Sequence, residues 1–323
     1  MDTDNTLKKE VQFKQNNMRK FLILLFVTVA FTSALYSQQD PQYTHYMYNT
    51  MSVNPAYVGT RGHITINALG RTQWVGFEGA PDTQTLSYDS PLGYTSLGLG
   101  VNLVNDVLGA SHETYLDANV AYRIQTSEEG NLSFGLKLGG RLLNVDWSKG
   151  DYLDRDDEVL RNNINNKFLP SVGAGIYYYT SKFYVGLSVP NFIRTEHYDA
   201  SQKIEKVAVE RMHFFLISGL VFDLNRNIKF KPAVLFKGVS GAPLSLDVSA
   251  NFLFNEQFTA GLSWRWDDSF SALVGFQASE SLFLGYSYDL TTSNYSNYNS
   301  GTHEVMLRYE LFKDGPVISP RFF

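Results

Sequence analysis

From Arg61 onward the sequence repeats one pattern, in which apolar and polar residues alternate for about ten residues and then stop at Gly, Asn, Asp, Ser or Pro. In residues 244–252, for example, every second residue is apolar, and the residues between them are Ser245, Asp247, Ser249 and Asn251. A period of two is that of a β-strand, whose successive side chains point to opposite faces of the sheet. The pattern therefore predicts an all-β chain whose strands each have one apolar and one polar face.

The composition of the polar faces decides between a sandwich and a membrane barrel. These faces carry Gly, Ser, Asn, Lys, Arg, Asp and Glu, so they face water rather than a packed core. In an outer-membrane barrel the apolar faces meet lipid and the polar faces line the lumen. Strands of this length suit a tilted crossing of the bilayer, and closure leaves no backbone group unpaired in hydrocarbon. We therefore predict a transmembrane antiparallel β-barrel over residues 61–312.

The number of strands is a separate prediction. We predict fourteen of them, at residues 61–73, 83–89, 95–105, 114–125, 131–143, 168–179, 182–189, 211–223, 227–237, 244–254, 257–266, 269–277, 280–289 and 303–312. An even number suits a single-chain bacterial barrel with both ends on the periplasmic side. Every second connection is short, as periplasmic turns are, and the other set holds all the long ones.

The N-terminal region has the features of a secretory signal peptide. A short basic region, Met18-Arg19-Lys20, is followed by an apolar run and then by small residues. The run of roughly 16 residues is short for a transmembrane anchor, which is the alternative. We predict a signal peptide over residues 1–37 with cleavage between Ser37 and Gln38, and Met18 is an alternative start of the chain.

Residues 42–59 fit neither a helix period nor a strand period, and they are rich in aromatic residues and amides. The Asn54-Pro55 pair ends whatever precedes it, because the residue before proline is pushed out of the helical region. Such a composition suits a segment that faces a polar wall. We predict that residues 38–60 are an N-terminal plug inside the barrel, with five residues packed against the lumen wall: Tyr46, Asn49, Asn54, Pro55 and Tyr57.

Charged residues on the polar faces are expected to point into the lumen. They are Lys137, Arg141, Lys229, Lys231, Lys237, Asp247, Arg265, Arg308 and Glu310. In an open porin such residues tune ion selectivity. In a plugged lumen they would be paired with one another, because bare buried charges are costly. We favour the paired arrangement because of the predicted plug.

Two further segments, an acidic loop and the C-terminal tail, carry separate expectations. The carboxylates at residues 151–158 are of the type that calcium prefers, but they lack the spacing and the turn glycine of a calcium loop. We expect a solvated extracellular loop there, with a weak cation site as the alternative. The tail at residues 313–323 is too short to fold alone, and we expect it to make a periplasmic contact or to reinforce the barrel seam.

Several classes of function are disfavoured by composition. The chain of 323 residues has no cysteine, which excludes disulfides and thiolate metal sites. Its net charge of −5 gives no reason to expect nucleic acid as a partner. No histidine lies in a nucleophile motif and no G-x-S-x-G occurs, so we expect neither an enzyme nor a cofactor.

Short motifs occur throughout residues 38–323. They are Asp40-Pro41, Tyr46-Met47-Tyr48-Asn49, Asn54-Pro55-Ala56-Tyr57, Arg71-x-Gln73-Trp74-x-Gly76, Gly79-Ala80-Pro81, Ser90-Pro91-Leu92, residues 183–191, residues 285–289, Gly301-Thr302-His303-Glu304 and Ser319-Pro320-Arg321. In their order and spacing together, these motifs resemble the PorP/SprF family of the type IX secretion system of Bacteroidota.

The resemblance implies a barrel similar to the long-chain fatty-acid transporter fold, with an N-terminal segment that enters it. It also implies a non-enzymatic outer-membrane role in secretion or surface attachment of proteins such as gliding adhesins. The implied partners are other type IX secretion components, secreted cargo with a type IX C-terminal signal and outer-membrane lipid. The alternative function is an outer-membrane channel or transporter for hydrophobic or small polar solutes.

Overall fold

The computed structural model describes residues 41–93, 95–149, 163–193, 212–239 and 243–311. Its strand segments are β1 (Ile64–Thr72), β2 (Asp82–Pro91), β3 (Leu97–Leu108), β4 (Ser111–Gln125), β5 (Asn131–Val145), β6 (Ile164–Tyr179), β7 (Phe183–Val189), β8 (His213–Leu220), β9 (Phe222–Asp223), β10 (Ile228–Val239), β11 (Ser245–Phe254), β12 (Phe258–Arg265), β13 (Ser269–Ser279), β14 (Leu282–Thr291) and β15 (Thr302–Leu311). All of them belong to one compact unit, which comprises Gln38–Ser240 and Leu244–Phe323.

These segments form a closed antiparallel barrel of fourteen strands. β8 and β9 are successive pieces of one strand, because both pair with β10 on either side of Val221. The sheet closes where β1 pairs with β15, from Ile64↔Leu311 to Thr72↔His303. The predicted all-β barrel and its number of strands are therefore confirmed. No helix among the described residues is long and apolar enough to cross a membrane.

The two faces of the wall differ in the way that the alternation predicts. On β13 the buried residues are Ser269, Ser271, Leu273 and Gly275, whereas Phe270, Val274 and Phe276 are exposed. On β5, Leu136 and Leu138 are 61% and 67% exposed. An outward face of this kind is stable only against an apolar environment, since exposed apolar surface of this extent is unfavourable in water. The outer face therefore suits lipid, and the polar residues point inward.

The main difference from the predicted boundaries is in the hairpin of β5 and β6. β6 begins at Ile164 rather than at residue 168, and Val145 still pairs with Ile164 after a register shift at Leu143. Alternation ends at the amides Asn165 and Asn166, but backbone pairing does not depend on side-chain polarity. The hairpin therefore extends beyond the apolar part of the wall.

β7 is much shorter than its neighbours, with seven residues against the sixteen of β6. It pairs with β6 only from Ala174↔Val189 to Tyr179↔Tyr184, and the chain leaves the wall at Pro190. Beyond the end of β7, the side chain of Asn191 replaces strand pairing, because it accepts a hydrogen bond from the backbone N–H of Val172 on β6. Further toward the start of β6, Pro170 has no N–H group to donate, so it cannot pair with another strand on this side.

Residues 41–63 precede β1 and pack against the inner face of the wall. They contain two short 3-10 helices, Thr50–Ser52 and Pro55–Tyr57. Their side chains join the inner residues of β4, β6, β7, β8, β10 and β15 in the largest cluster of buried apolar residues in the described chain. The core of this protein is thus inside the barrel. We call residues 41–63 the N-terminal segment.

Candidate functional site: the N-terminal segment and the inner wall

A buried network of ionic and polar groups joins the start of the N-terminal segment to three wall strands. Glu304 on β15 accepts hydrogen bonds from the backbone N–H groups of Thr44 and His45, at 2.9 and 2.8 Å. Its Oε1 lies 2.6 Å from Nδ1 of His45, and its Oε2 lies 2.8 Å from Nη1 of Arg71. Arg71 also binds Asp289 on β14 at 2.8 Å, and Asp289 accepts a hydrogen bond from the Thr44 hydroxyl.

This network is fully enclosed, because the side chains of His45 and Glu304 are 1% and 0% exposed. Buried carboxylates are tolerated when hydrogen bonds and an opposite charge satisfy them. Here Arg71 supplies the charge from the wall, and the backbone of the N-terminal segment supplies two donors. The Glu304 carboxylate is therefore satisfied only by the segment and the wall together.

A second polar contact holds the other end of the N-terminal segment. Arg61 donates to Glu310 on β15, and His63 lies 3.3 Å from the same carboxylate. The backbone N–H of Gly59 donates to Asp89 on β2 at 2.6 Å. Burial alone would lower the pKa of Arg61, but its interactions with Tyr57 and Glu310 outweigh this effect and raise the pKa. The segment is thus attached near both ends of the first and last strands.

Between these two contacts, the turn at Asn54-Pro55-Ala56 packs directly on wall backbone. The Asn54 side chain caps the helix Pro55–Tyr57, accepting a hydrogen bond from the Ala56 N–H at 2.9 Å. Its amide donates to the carbonyl of Ile176 at 3.1 Å. The wall at this place consists of small residues that pair with one another across four strands: Ala121, Gly135, Gly175 and Ser188.

The glycines of this small-residue row are required by the close approach. A Cβ at Gly135 would lie 2.2 Å from the backbone nitrogen of Ala56, and a Cβ at Gly175 would lie 2.1 Å from Oδ1 of Asn54. Both distances are far below van der Waals contact. At the end of the row, the Ser188 hydroxyl donates to the carbonyl of Val53 at 2.6 Å. The row is therefore shaped to receive the turn.

Aromatic residues fill the space beside the turn. Tyr57 meets Tyr177 edge to face with ring centroids 5.7 Å apart, and Tyr177 stacks on Tyr184 at 5.9 Å. Such pairs add to the apolar surface that they bury. The ammonium group of Lys231 lies 4.6 Å from the centre of the Tyr48 ring. Burial raises the pKa of the Tyr46 and Tyr48 phenols, so both stay neutral at ordinary pH.

The structure brings the five residues of the predicted plug together on the inner wall. Tyr46 is 1% exposed and its hydroxyl lies 3.2 Å from that of Ser249 on β11. Asn49, Asn54, Pro55 and Tyr57 are also buried. That they close the lumen is a functional prediction, which we take up below.

The predicted lumen charges lie on the inward side of their strands, and most have an ionic partner. Three pairs join residues of the wall: Lys137 with Asp117, Arg141 with Glu113, and Arg265 with Asp247. Lys229 pairs with Glu256 in the turn between β11 and β12. Arg308 lies 3.3 Å from Glu310 and 4.6 Å from the centre of the Phe283 ring. Lys231 and Lys237 are buried beside the rings of Tyr48 and Phe215.

Sequence reasoning missed several members of these networks. The buried contacts of His45, Arg71, Asp89, Asp289 and Glu304 were not predicted, although Arg71, Asp289 and Glu304 lie in the family motifs. The four wall residues share one signal, a charge on the polar face of a strand, which the alternation does reveal. His45 lies in the N-terminal segment, where the sequence has no such alternation. The predicted cleavage site at Ser37 and Gln38, the acidic loop at 151–158 and the tail at 313–323 lie outside the described residues.

A small cavity of about 70 Å³ remains between the N-terminal segment and β3–β8. Pro41, Tyr43, Asp117, Lys137 and Arg141 contribute to its lining. No group of three or more His, Cys, Asp or Glu side chains in the described part of the chain is placed to hold a metal ion.

Comparison with known sequences identifies one family. The model of the family described as "Type IX secretion system membrane protein PorP/SprF" matches residues 35–309. No curated protein matches the chain.

Solved barrels are similar in fold at low identity. The Acinetobacter baumannii outer membrane protein Omp33 is 6% identical, with 77% of this chain and 98% of that chain covered and a TM-score of 0.46. The CymD monoaromatic hydrocarbon channel is 11% identical, with 82% and 93% covered and a TM-score of 0.46. A Pseudomonas aeruginosa FadL homologue is 12% identical, with 84% and 95% covered and a TM-score of 0.43. These similarities concern the barrel alone and carry nothing about function.

Proposed function

The chain belongs to the PorP/SprF family of type IX secretion system membrane proteins, and we propose that it is a non-enzymatic outer-membrane component of that system. In this role it supports export or surface attachment of secreted proteins such as gliding adhesins. The observation that carries the proposal is the family match, which includes the whole N-terminal segment and the barrel as far as Tyr309. Fold alone would not give this function, because barrels serve many purposes.

The inner wall supports a role in holding rather than conducting. The N-terminal segment is attached by buried contacts at Glu304 and Glu310, and its turn packs on the small-residue row. Moving such a segment aside would break buried ion pairs, which is costly when one partner stays buried. We propose that the N-terminal segment is a plug that keeps the lumen closed in the resting protein.

The end of the barrel opposite the short turns offers a surface for partners. The loop after β1 and the loop before β15 are joined by backbone hydrogen bonds between Val75 and Gly301 and between Ser300 and Val75, at 2.8 and 2.7 Å. On them Trp74 stacks on Tyr295, and Tyr298 is 69% exposed. Rigidly held aromatic residues are favourable in protein interfaces. We propose that secreted cargo with a type IX C-terminal signal is bound at this rim, and that other secretion components bind at the periplasmic turns.

Deletion of the gene, followed by a catalogue of the proteins released and displayed by the cells, tests the proposal. We expect one or more surface proteins to be lost and then restored by the wild-type gene. The rim variant is Tyr298→Ala. The matched control is Leu262→Ala on the lipid-facing side of β12, because Leu262 is as exposed as Tyr298, at 69%. Loss of display with Tyr298→Ala alone supports cargo binding at the rim. An unchanged set of secreted proteins in the deletion strain overturns the secretion role.

The alternative function is an outer-membrane channel or transporter for hydrophobic or small polar solutes, whose path would include the small cavity beside Lys137 and Arg141. Conductance across planar bilayers separates the two functions. A large steady conductance from the purified wild-type protein supports the channel and contradicts the plug.

A further inference from the structure

The outer side of the wall has an apolar groove behind the small-residue row. Its lining includes the backbone of Gly135 and Gly175 and the side chains of Tyr122, Phe134, Ile176 and Leu187. The groove has a volume of about 560 Å³, within the range of pockets that bind small molecules. Almost all of its lining is apolar. The row that receives the turn of the N-terminal segment on its inner side thus forms the floor of a groove on its outer side.

The groove exists because one outward-facing residue is small. Ala174 on β6 lies between its neighbours in the sheet, Leu136 on β5 and Val189 on β7, and it alternates with the inward-facing Gly173 and Gly175. Large apolar residues occupy most outward positions around it. The short β7 ends at Val189, so the groove reaches the place where the chain leaves the wall.

The position of the groove determines what can occupy it. It lies within the apolar outer face, at the level of Phe134 and Leu136, toward the end of β5 that adjoins the short turn at residues 126–130. Hydrocarbon surrounds this level of a membrane barrel. Among the described residues no charged side chain lines the groove, so a headgroup has no partner there. A flexible alkyl chain fits these conditions, because it fills an irregular apolar space without polar groups to satisfy.

We propose that this groove binds one acyl chain of a phospholipid from the leaflet on the side of the short turns. The acyl chain packs against the outer side of the small-residue row, while the turn Asn54-Pro55-Ala56 packs against the inner side. The small-residue row is thus covered on both sides. The site is independent of the proposed role in secretion.

The test is native mass spectrometry of the purified full-length barrel, after reconstitution in vesicles of phosphatidylethanolamine and phosphatidylglycerol and extraction in mild detergent. We expect the wild type to retain one phospholipid per chain. Ala174→Phe fills the groove and should reduce this occupancy about tenfold. The matched control is Ala272→Phe on β13, an outward-facing alanine on another part of the wall, which should retain the phospholipid.

Heat-dependent electrophoretic mobility shows whether each variant forms a barrel. If Ala174→Phe does not assemble, the smaller Ala174→Leu replaces it in the same comparison. Equal phospholipid occupancy in the groove variant and in Ala272→Phe overturns the proposal. So does a wild-type protein that retains only detergent, or that retains lipopolysaccharide instead of phospholipid when both are supplied.

Discussion

Nδ1 of His45 lies 2.6 Å from Oε1 of Glu304, and the two residues are 259 positions apart in the chain. One belongs to the N-terminal segment and the other to the last strand of the barrel. Their contact lies beside the seam at which β1 and β15 close the sheet, because Arg71 on β1 pairs with Glu304 on β15 in the register. The segment therefore contributes to the same contacts that hold the first and last strands together.

Replacing Glu304 by Gln should destabilise the barrel by about 3 kcal/mol, since it leaves Arg71 buried with only Asp289 as its ionic partner. The measurement is urea unfolding in lipid vesicles, with heat-dependent electrophoretic mobility as the readout of the folded barrel. Glu256→Gln is the control, because Glu256 is 64% exposed where it pairs with Lys229 and should change stability by less than about 1 kcal/mol. Equal effects of the two substitutions would show that the buried network contributes little.

Gly135→Ala should displace the turn of the N-terminal segment, because its Cβ would meet the Ala56 backbone. Overpacking of this kind costs about 1–3 kcal/mol. Limited proteolysis of residues 41–63 in the folded barrel measures the displacement, and we expect faster cleavage. Gly70→Ala is the matched control on β1, where a Cβ meets nothing within 4 Å. A segment that stays protected in Gly135→Ala argues against close packing on the small-residue row.

Asn54→Ala removes both a helix cap and a bond to the wall. The loss of the cap costs about 0.5–2 kcal/mol, and the Ile176 carbonyl loses its side-chain donor. Asn54→Asp keeps the capping oxygen but loses the donor, and it places a charge among buried groups. We therefore expect both variants to be less stable than the wild type in urea unfolding, with Asn54→Asp the worse of the two. The reverse order would mean that the cap alone matters.

A chain that lacks residues 41–57 should conduct ions where the wild type does not, because these residues occupy the space beside the paired charges of the wall. Single-channel recording in planar bilayers gives the comparison. The same chain with the segment restored, or with only the Tyr46→Phe change, is expected to stay closed, since Tyr46 contributes a single hydroxyl contact to Ser249. Similar conductance with and without the segment would contradict the plug.

The pattern of alternation determined the strands, their number and the direction of each face, because the side-chain period of a strand is a local property of the backbone. For the same reason the inward position of Asp247, Arg265 and Glu310 could be predicted from single strands. The irregular composition of residues 42–59 indicated a segment that faces polar groups. It did not indicate which groups.

Only the tertiary structure decided the partners, because register between strands and the path of the N-terminal segment place residues together that are far apart in the chain. Ala121, Gly135, Gly175 and Ser188 are unremarkable in four separate strands, and pairing aligns them into one row. The role of Glu304 likewise depends on Thr44, His45 and Arg71, which reach it from the segment and from the first strand. Sequence thus determined a barrel with a polar lumen, and packing within that lumen decided what the polar groups bind.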